Sequence, residues 1–358
     1  MARAHNTQRD MAHVFKPEPG GALGGKENII PRKIFRNTHD ISRSILPTLP
    51  IRTATTKRQL APEKEHTMIS SKKHAADHDS VQTKSKKDTC DAFTLEHELM
   101  HSLRLERELM PAPDYFHTIQ KNITEENRSI AVRYQIRCAY ELQMSSAATF
   151  MSVAYLDRFL SAYPLDRRYM SMLCAVSLYV ASKFEDTLDK QFDLSLLMEV
   201  CEFGDKARQT ILHLEGKLLK TLNYRLCQPT SKSFLVFFFK NSGMFDDKTY
   251  YFALFMAQIF QTDCACLKYM PSLIGKLVGW ISINTCNKVE WCHNQYLTSQ
   301  VAELRSSDVA KYCIRDLQRS IEYEKKNEAN DSEIILRFAS NAYLNVADIN
   351  TDSIHFDI

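Results

Sequence analysis

The segment that most constrains the fold is residues 169–184. It carries Met170, Met172, Leu173, Ala175, Val176, Leu178, Tyr179, Val180 and Ala181, so apolar side chains fall on nearly every side of a helix. A single apolar stripe suits a helix lying on a surface, whereas apolar residues all round require burial on all sides. Such a helix needs a bundle of others wrapped about it.

The chain supplies them. Apolar-periodic segments with start and stop signals predict helices over 124–142, 145–162, 167–185, 193–202 and 205–223. Thr124-Glu-Glu-Asn127 and Asp205 read as helix starts, Pro164 and Gly204 as breaks, and Gln228-Pro229-Thr230 as a linker. A second set follows over 232–241, 248–263, 270–286, 295–304 and 308–326. Its middle helix, with Leu273, Ile274, Leu277, Val278, Trp280, Ile281 and Ile283, is again apolar nearly all round, and Gly275 and Gly279 leave room for a close neighbour. Tyr169-Met-Ser and Tyr269-Met-Pro-Ser open equivalent helices, a weak internal repeat of two five-helix modules. Only nine glycines and eleven prolines interrupt 358 residues, which favours an all-α fold.

Ahead of these sets, Thr94 reads as the cap of a helix that runs to Pro111 and carries a narrow stripe of Leu95, Leu99, Leu103 and Leu105. Residues 1–90 hold about 17 Lys/Arg against about 9 Asp/Glu, and their few apolar residues have no period. Such a segment cannot bury enough surface to offset its ordering entropy, so a disordered basic arm is expected.

Tyr155-Leu-Asp-Arg-Phe-Leu160 and Ala181-Ser-Lys-Phe-Glu-Asp186, joined by the hidden helix, resemble the first cyclin box of A/B-type (mitotic) cyclins, the regulatory subunits of cyclin-dependent kinases. Asn127-Arg-Ser-Ile-Ala-Val-Arg-Tyr134 falls where those cyclins carry a Met-Arg-Ala-Ile-Leu-like sequence, and Leu214-Glu-Gly-Lys-Leu-Leu-Lys-Thr-Leu-Asn-Tyr224 is similar to the fifth helix of the box. The resemblance covers roughly residues 95–350 and implies two five-helix cyclin boxes. The organisation expected is an arm over 1–90, an N-terminal helix and first box over 91–228, and a second box and C-terminal segment over 229–350.

By the same resemblance, Lys183 and Glu215 form a charged clasp on a cyclin-dependent kinase. Val180, Phe184, Leu219, Tyr224 and Leu226, with Leu99 on the N-terminal helix, pack apolar side chains around it. Read from spacing alone, Lys183 and Glu215 better suit an ordinary charged helix surface, and Leu219 suits core as well as interface. Arg128 and Asp157 match a cyclin pair that ties the first helix of the box to the second, a structural role. The family's Arg-x-Leu docking patch is altered: Asn127, Ala131, Tyr134 and Arg137 stand where Met, Leu, Trp and Glu are usual, and only Ile130 persists. The loop after Phe184 is shorter than in the family.

In the arm, Lys26-Glu27-Asn28 resembles the KEN degron read by the anaphase-promoting complex, and Arg43-Ser-Ile-Leu46 fits a minimal destruction box, Arg43 and Leu46 being its fixed positions. Ubiquitin-dependent turnover and a nuclear and cytoplasmic location follow as expectations. No phosphate-binding glycine loop, nucleophile elbow, zinc-protease motif or kinase motif occurs, so a non-catalytic binding protein without cofactor is expected. The ten cysteines lack zinc-type spacing, which predicts reduced thiols and no metal. Leu267 to Cys286 is interrupted by Lys268, Pro271, Lys276 and Asn284, against a membrane span. The folded part shows no basic face for direct nucleic-acid contact. Two rival readings remain beside the kinase activator: a cyclin-fold transcription factor, and an orphan cyclin-box scaffold.

Overall fold

The structure, a computed structural model, describes residues 81–286, 294–326, 332–350, 354 and 356. Among them are thirteen α-helices and no strand. Helix α1 (Val81–Leu109) is followed by the single turn α2 (Tyr115–Thr118). The sequence from Val81 to Met110 holds no glycine or proline, so α1 begins well before Thr94, which lies inside the helix and does not cap it.

The first bundle comprises α3 (Glu125–Glu141), α4 (Ser146–Ala162), α5 (Met170–Glu185), α6 (Leu194–Val200) and α7 (Arg208–Thr221). Side chains fix the starts of three of them. The Thr124 hydroxyl accepts from the Asn127 N–H while the Asn127 side chain accepts from the Thr124 N–H, and Ser145 and Asp193 cap α4 and α6. Helix α5 is the hidden one, packed against α3, α4, α6 and α7. Only Ser171, Tyr179, Lys183, Phe184 and Glu185 escape burial, and three of these are its last residues. The helix therefore delivers Lys183 and Phe184 to the surface at its C-terminal end.

The second bundle repeats the plan with α8 (Ser231–Ser242), α9 (Asp247–Thr262), α10 (Pro271–Cys286), α11 (Gln295–Ser306) and α12 (Asp308–Lys326). Helix α10 touches α8, α9, α11 and α12, as α5 does its own neighbours. A 3-10 turn precedes each central helix, Arg167–Tyr169 before α5 and Cys264–Lys268 before α10, which places Tyr169 and Tyr269 at corresponding points. A Cβ on Gly275 would meet Phe234 Cβ and Ser231 O at 2.8 Å, so α8 approaches α10 as closely as the missing side chain allows.

Helix α9 is buried from Thr249 to Phe260, more completely than the sequence pattern predicts. The reason is tertiary: α3 of the first bundle covers one flank, and α13 (Glu333–Phe338) with the 3-10 turn Val346–Asp348 covers another. Buried Glu324 on α12 accepts from Arg133 Nη1 of α3 at 2.6 Å and from Ser332 Oγ at the start of α13, joining both bundles to the C-terminal segment. Helix α1, though first in sequence, lies on α8 and α10 of the second bundle.

Candidate functional site

Lys183 ends α5 and Glu215 sits in the middle of α7, and their side chains bond directly. Lys183 Nζ also lies 4.0 Å from the centroid of the Tyr179 ring, one turn earlier on α5. The lysine side chain keeps 40% of its exposure and the glutamate 15%, so both remain within reach of another molecule. A cation in the last turn of a helix also complements the partial negative charge of its free carbonyls.

Exposed or half-buried apolar side chains flank the pair along the chain. Phe184 is 44% and Tyr224 65% exposed, while Leu219 and Leu226 are half-buried. Val180 requires correction: at 3% exposure it packs inside the first bundle and cannot belong to the surface patch, because it stands on the side of α5 that its neighbours cover. Leu99 is half-buried on α1, about 14 Å along the helix from Glu108, which pairs with Arg225 beside Tyr224. Three further exposed apolar residues were absent from the sequence expectation: Leu212 at 47% on α7, Leu196 at 42% on α6 and Leu188 at 88% in the loop after α5. Leu212, Glu215 and Leu219 follow helical spacing along one face of α7, so Leu212 was open to detection; Leu188 lies in a loop, where no period exists to reveal it.

Arg128 and Asp157 pair in the interior, with the arginine fully buried. Arg128 Nε donates to Asp157 Oδ1 and Nη2 to Oδ2, both at 2.8 Å, a two-pronged pair between α3 and α4. Its Nη1 reaches the Gln261 carbonyl of the second bundle at 3.0 Å. Tyr115 donates to Asp157 Oδ1 at 3.1 Å, and burial followed by the Asp157 charge pushes that hydroxyl well up, keeping it a donor. The group thus also holds the two bundles together.

On α3, Asn127, Ala131 and Tyr134 are buried, Asn127 in the helix cap and Tyr134 with its hydroxyl donating to the Cys201 carbonyl. Of the docking positions only the unchanged Ile130 and the altered Arg137 reach the surface, where Arg137 lies over the Tyr134 ring. Among the described residues no group of three or more His, Cys, Asp or Glu is placed to hold a metal, and no helix is long and apolar enough to cross a membrane. Burial pushes the Cys266 thiol up to about 12 and that of Cys264 up to about 11, so neither is a ready nucleophile. Lys26, Glu27, Asn28, Arg43 and Leu46 lie outside the described residues.

Comparison with known proteins bears on this geometry. Residues 98–227 match the family model "Cyclin, N-terminal domain" and residues 229–352 match "Cyclin, C-terminal domain". Cyclin-A3-1 of Oryza sativa subsp. japonica is 26% identical over 228 residues, 61% of this chain and 59% of that protein. G2/mitotic-specific cyclin C13-1 of Daucus carota is 27% identical over 202 residues, 54% of this chain and 57% of that one. The chain thus spans less than two thirds of the length of these relatives. Its fold is similar to that of a viral cyclin from herpesvirus saimiri, with a TM-score of 0.53, 17% identity, and coverage of 64% of this chain and 96% of that one.

Proposed function

The chain belongs to the cyclin family, with both domains present, and from that premise we propose that it binds and activates a cyclin-dependent kinase through the face that carries Lys183 and Glu215. Cyclins are regulatory proteins and not themselves catalysts. The observation that carries the reading is the exposed Lys183–Glu215 pair set among Phe184, Leu212, Leu219 and Tyr224.

The mechanism follows from what a kinase needs. A glutamate on its C helix must pair with a strand-three lysine to position the ATP phosphates. A partner that contacts the kinase only when this pair is made shifts the kinase toward that form. Moving it from about 1:99 to 99:1 requires a preference of about 5.5 kcal/mol. One exposed ion pair supplies about 1 kcal/mol at most, so the apolar residues must provide most of the preference and the ion pair must set orientation. An interface with an apolar centre and a polar rim has this composition.

The finer reading is a G2/M or S/M cyclin acting in nucleus and cytoplasm and removed by ubiquitin-dependent proteolysis. Its support is the mitotic name of one relative and the KEN sequence Lys26-Glu27-Asn28 for the anaphase-promoting complex. The deciding experiment is copurification from dividing cells followed by a histone phosphorylation assay. A bound, active kinase is the expected result, and recovery of a polymerase or of no kinase would overturn the reading.

A further inference from the structure

Helices α3, α6 and α7 all end without glycine, through a residue in the left-handed region: Gln143 (φ 56), Glu202 (φ 57) and Asn223 (φ 52). In each, the next residue sends its N–H back to a carbonyl five positions earlier: Met144 to Ala139, Phe203 to Met198 and Tyr224 to Leu219. One left-handed residue suffices for such a helix end. After α7 a second follows, because Tyr224 itself has φ 57. For a residue with a bulky side chain that conformation is disfavoured by contact of Cβ with the backbone, and it persists only when its surroundings hold it.

The surroundings here are two side chains of α4. Arg158 Nη1 donates to the Arg225 carbonyl at 2.8 Å and to Gln228 Oε1 at 3.2 Å, and Nη2 lies 3.4 Å from the Leu222 carbonyl. Tyr155, buried one turn earlier, donates its hydroxyl to the Leu226 carbonyl at 2.8 Å. Carbonyls on both sides of the Asn223–Tyr224 turn are therefore anchored to the first bundle. Arg225 is also tied to Glu108 of α1. Burial lowers the Arg158 guanidinium to about 10, which leaves it a cation at neutral pH with several donors to offer.

We propose that Arg158, assisted by Tyr155, is a positioning residue for the partner-binding face: it holds the turn at Asn223–Tyr224 left-handed and so presents the Tyr224 ring outward beside Leu226. The proposal rests on the reading that this face receives a kinase, and Arg158 acts only through Tyr224. Anchoring the turn before binding removes an ordering cost that a loose segment would impose on the complex.

The test is a double-mutant cycle on the full chain, with the Kd for the copurifying kinase measured for Arg158→Met, Tyr224→Ala and the pair. Arg158→Met is expected to weaken binding about tenfold with Tyr224 present and less than about twofold once the ring is gone. Arg158→Lys should fall between. Should Arg158→Met fail to fold, Tyr155→Phe removes one hydroxyl only, and its loss of affinity should likewise vanish in the Tyr224→Ala background. Equal losses with and without the ring would overturn the proposal. Absence of kinase binding by the unaltered chain would sink the functional reading instead. The positioning is then decided by chymotrypsin cleavage after Tyr224, which faster cutting in Arg158→Met or Tyr155→Phe supports and an unchanged rate refutes.

Discussion

Lys183 and Glu215 already pair with each other in the unbound chain, across the gap between the end of α5 and the middle of α7, with the ammonium over Tyr179. A partner docking on this face, as proposed above, meets two charges oriented in advance, and its own polar groups must compete for them.

Because Lys183 is well exposed, the pair contributes about 0–1 kcal/mol to folding. Replacing both residues, Lys183→Ala with Glu215→Ala, should lower the unfolding midpoint by no more than about 4 °C. The same variant should lose kinase activation. Thermal melts and histone phosphorylation measure the two effects separately, and wild-type phosphorylation by the double variant would remove the clasp from the mechanism.

Asp157 predicts the opposite balance. Asp157→Ala strands a guanidinium that is fully buried, and breaking a buried pair in this way costs about 3–5 kcal/mol. Arg128 also holds the Gln261 carbonyl, so the contact between the bundles should loosen with it. Urea unfolding should show a much earlier transition, with binding lost only as a consequence. A normal midpoint combined with absent kinase binding would reassign Asp157 to the interface.

Much of this arrangement was legible in the residues. All-round apolarity marked α5 and α10 because burial on every side leaves no polar face, and Thr124 marked the start of α3 because its partner Asn127 stands three residues on. Val180 shows the limit: on a helix apolar all round, period cannot tell the buried side from the rim, and only the neighbours decide. Leu188 sits in a loop, and the C-terminal segment from Glu333 is built of short turns, so neither carries a readable period. The burial of α9 depends on α3 and on that same segment, contacts far apart in sequence.

Two glycines in helices should respond in opposite directions. A Cβ on Gly275 meets main-chain atoms, Ser231 O at 2.8 Å and Leu235 N at 2.9 Å, which cannot rotate away. Gly275→Ala should therefore destabilise by about 1–3 kcal/mol. Gly216 in α7 has nothing within 4 Å of the same position, so Gly216→Ala should stabilise by about 0.5–1 kcal/mol through helix propensity. Denaturant midpoints for the two variants decide this, and a loss for Gly216→Ala would show a neighbour closer than the geometry allows.

Glu106 gives a dependence on pH. It is buried at 3% exposure, where its carboxylate accepts from the Ser272 N–H at 2.9 Å and from the Ser272 hydroxyl at 2.7 Å, fastening α1 to the first turn of α10. Burial raises its pKa above the usual 4.5, outweighing the two Ser272 bonds and the charges of Arg107 and Lys276. The folded chain then holds this proton to higher pH than the unfolded chain does. The group's contribution to stability is complete below its unfolded value and is lost as pH rises through the raised folded value. Glu106→Gln keeps an acceptor for Ser272 and has no charge to bury, so it should escape that loss. The melting temperature of the variant relative to wild type should therefore climb as pH rises from the usual carboxylate value of 4.5 through the raised folded value. A difference that stays flat over that range would mean that the carboxyl titrates alike in the folded and unfolded chains, and that its seat against α10 is open to water.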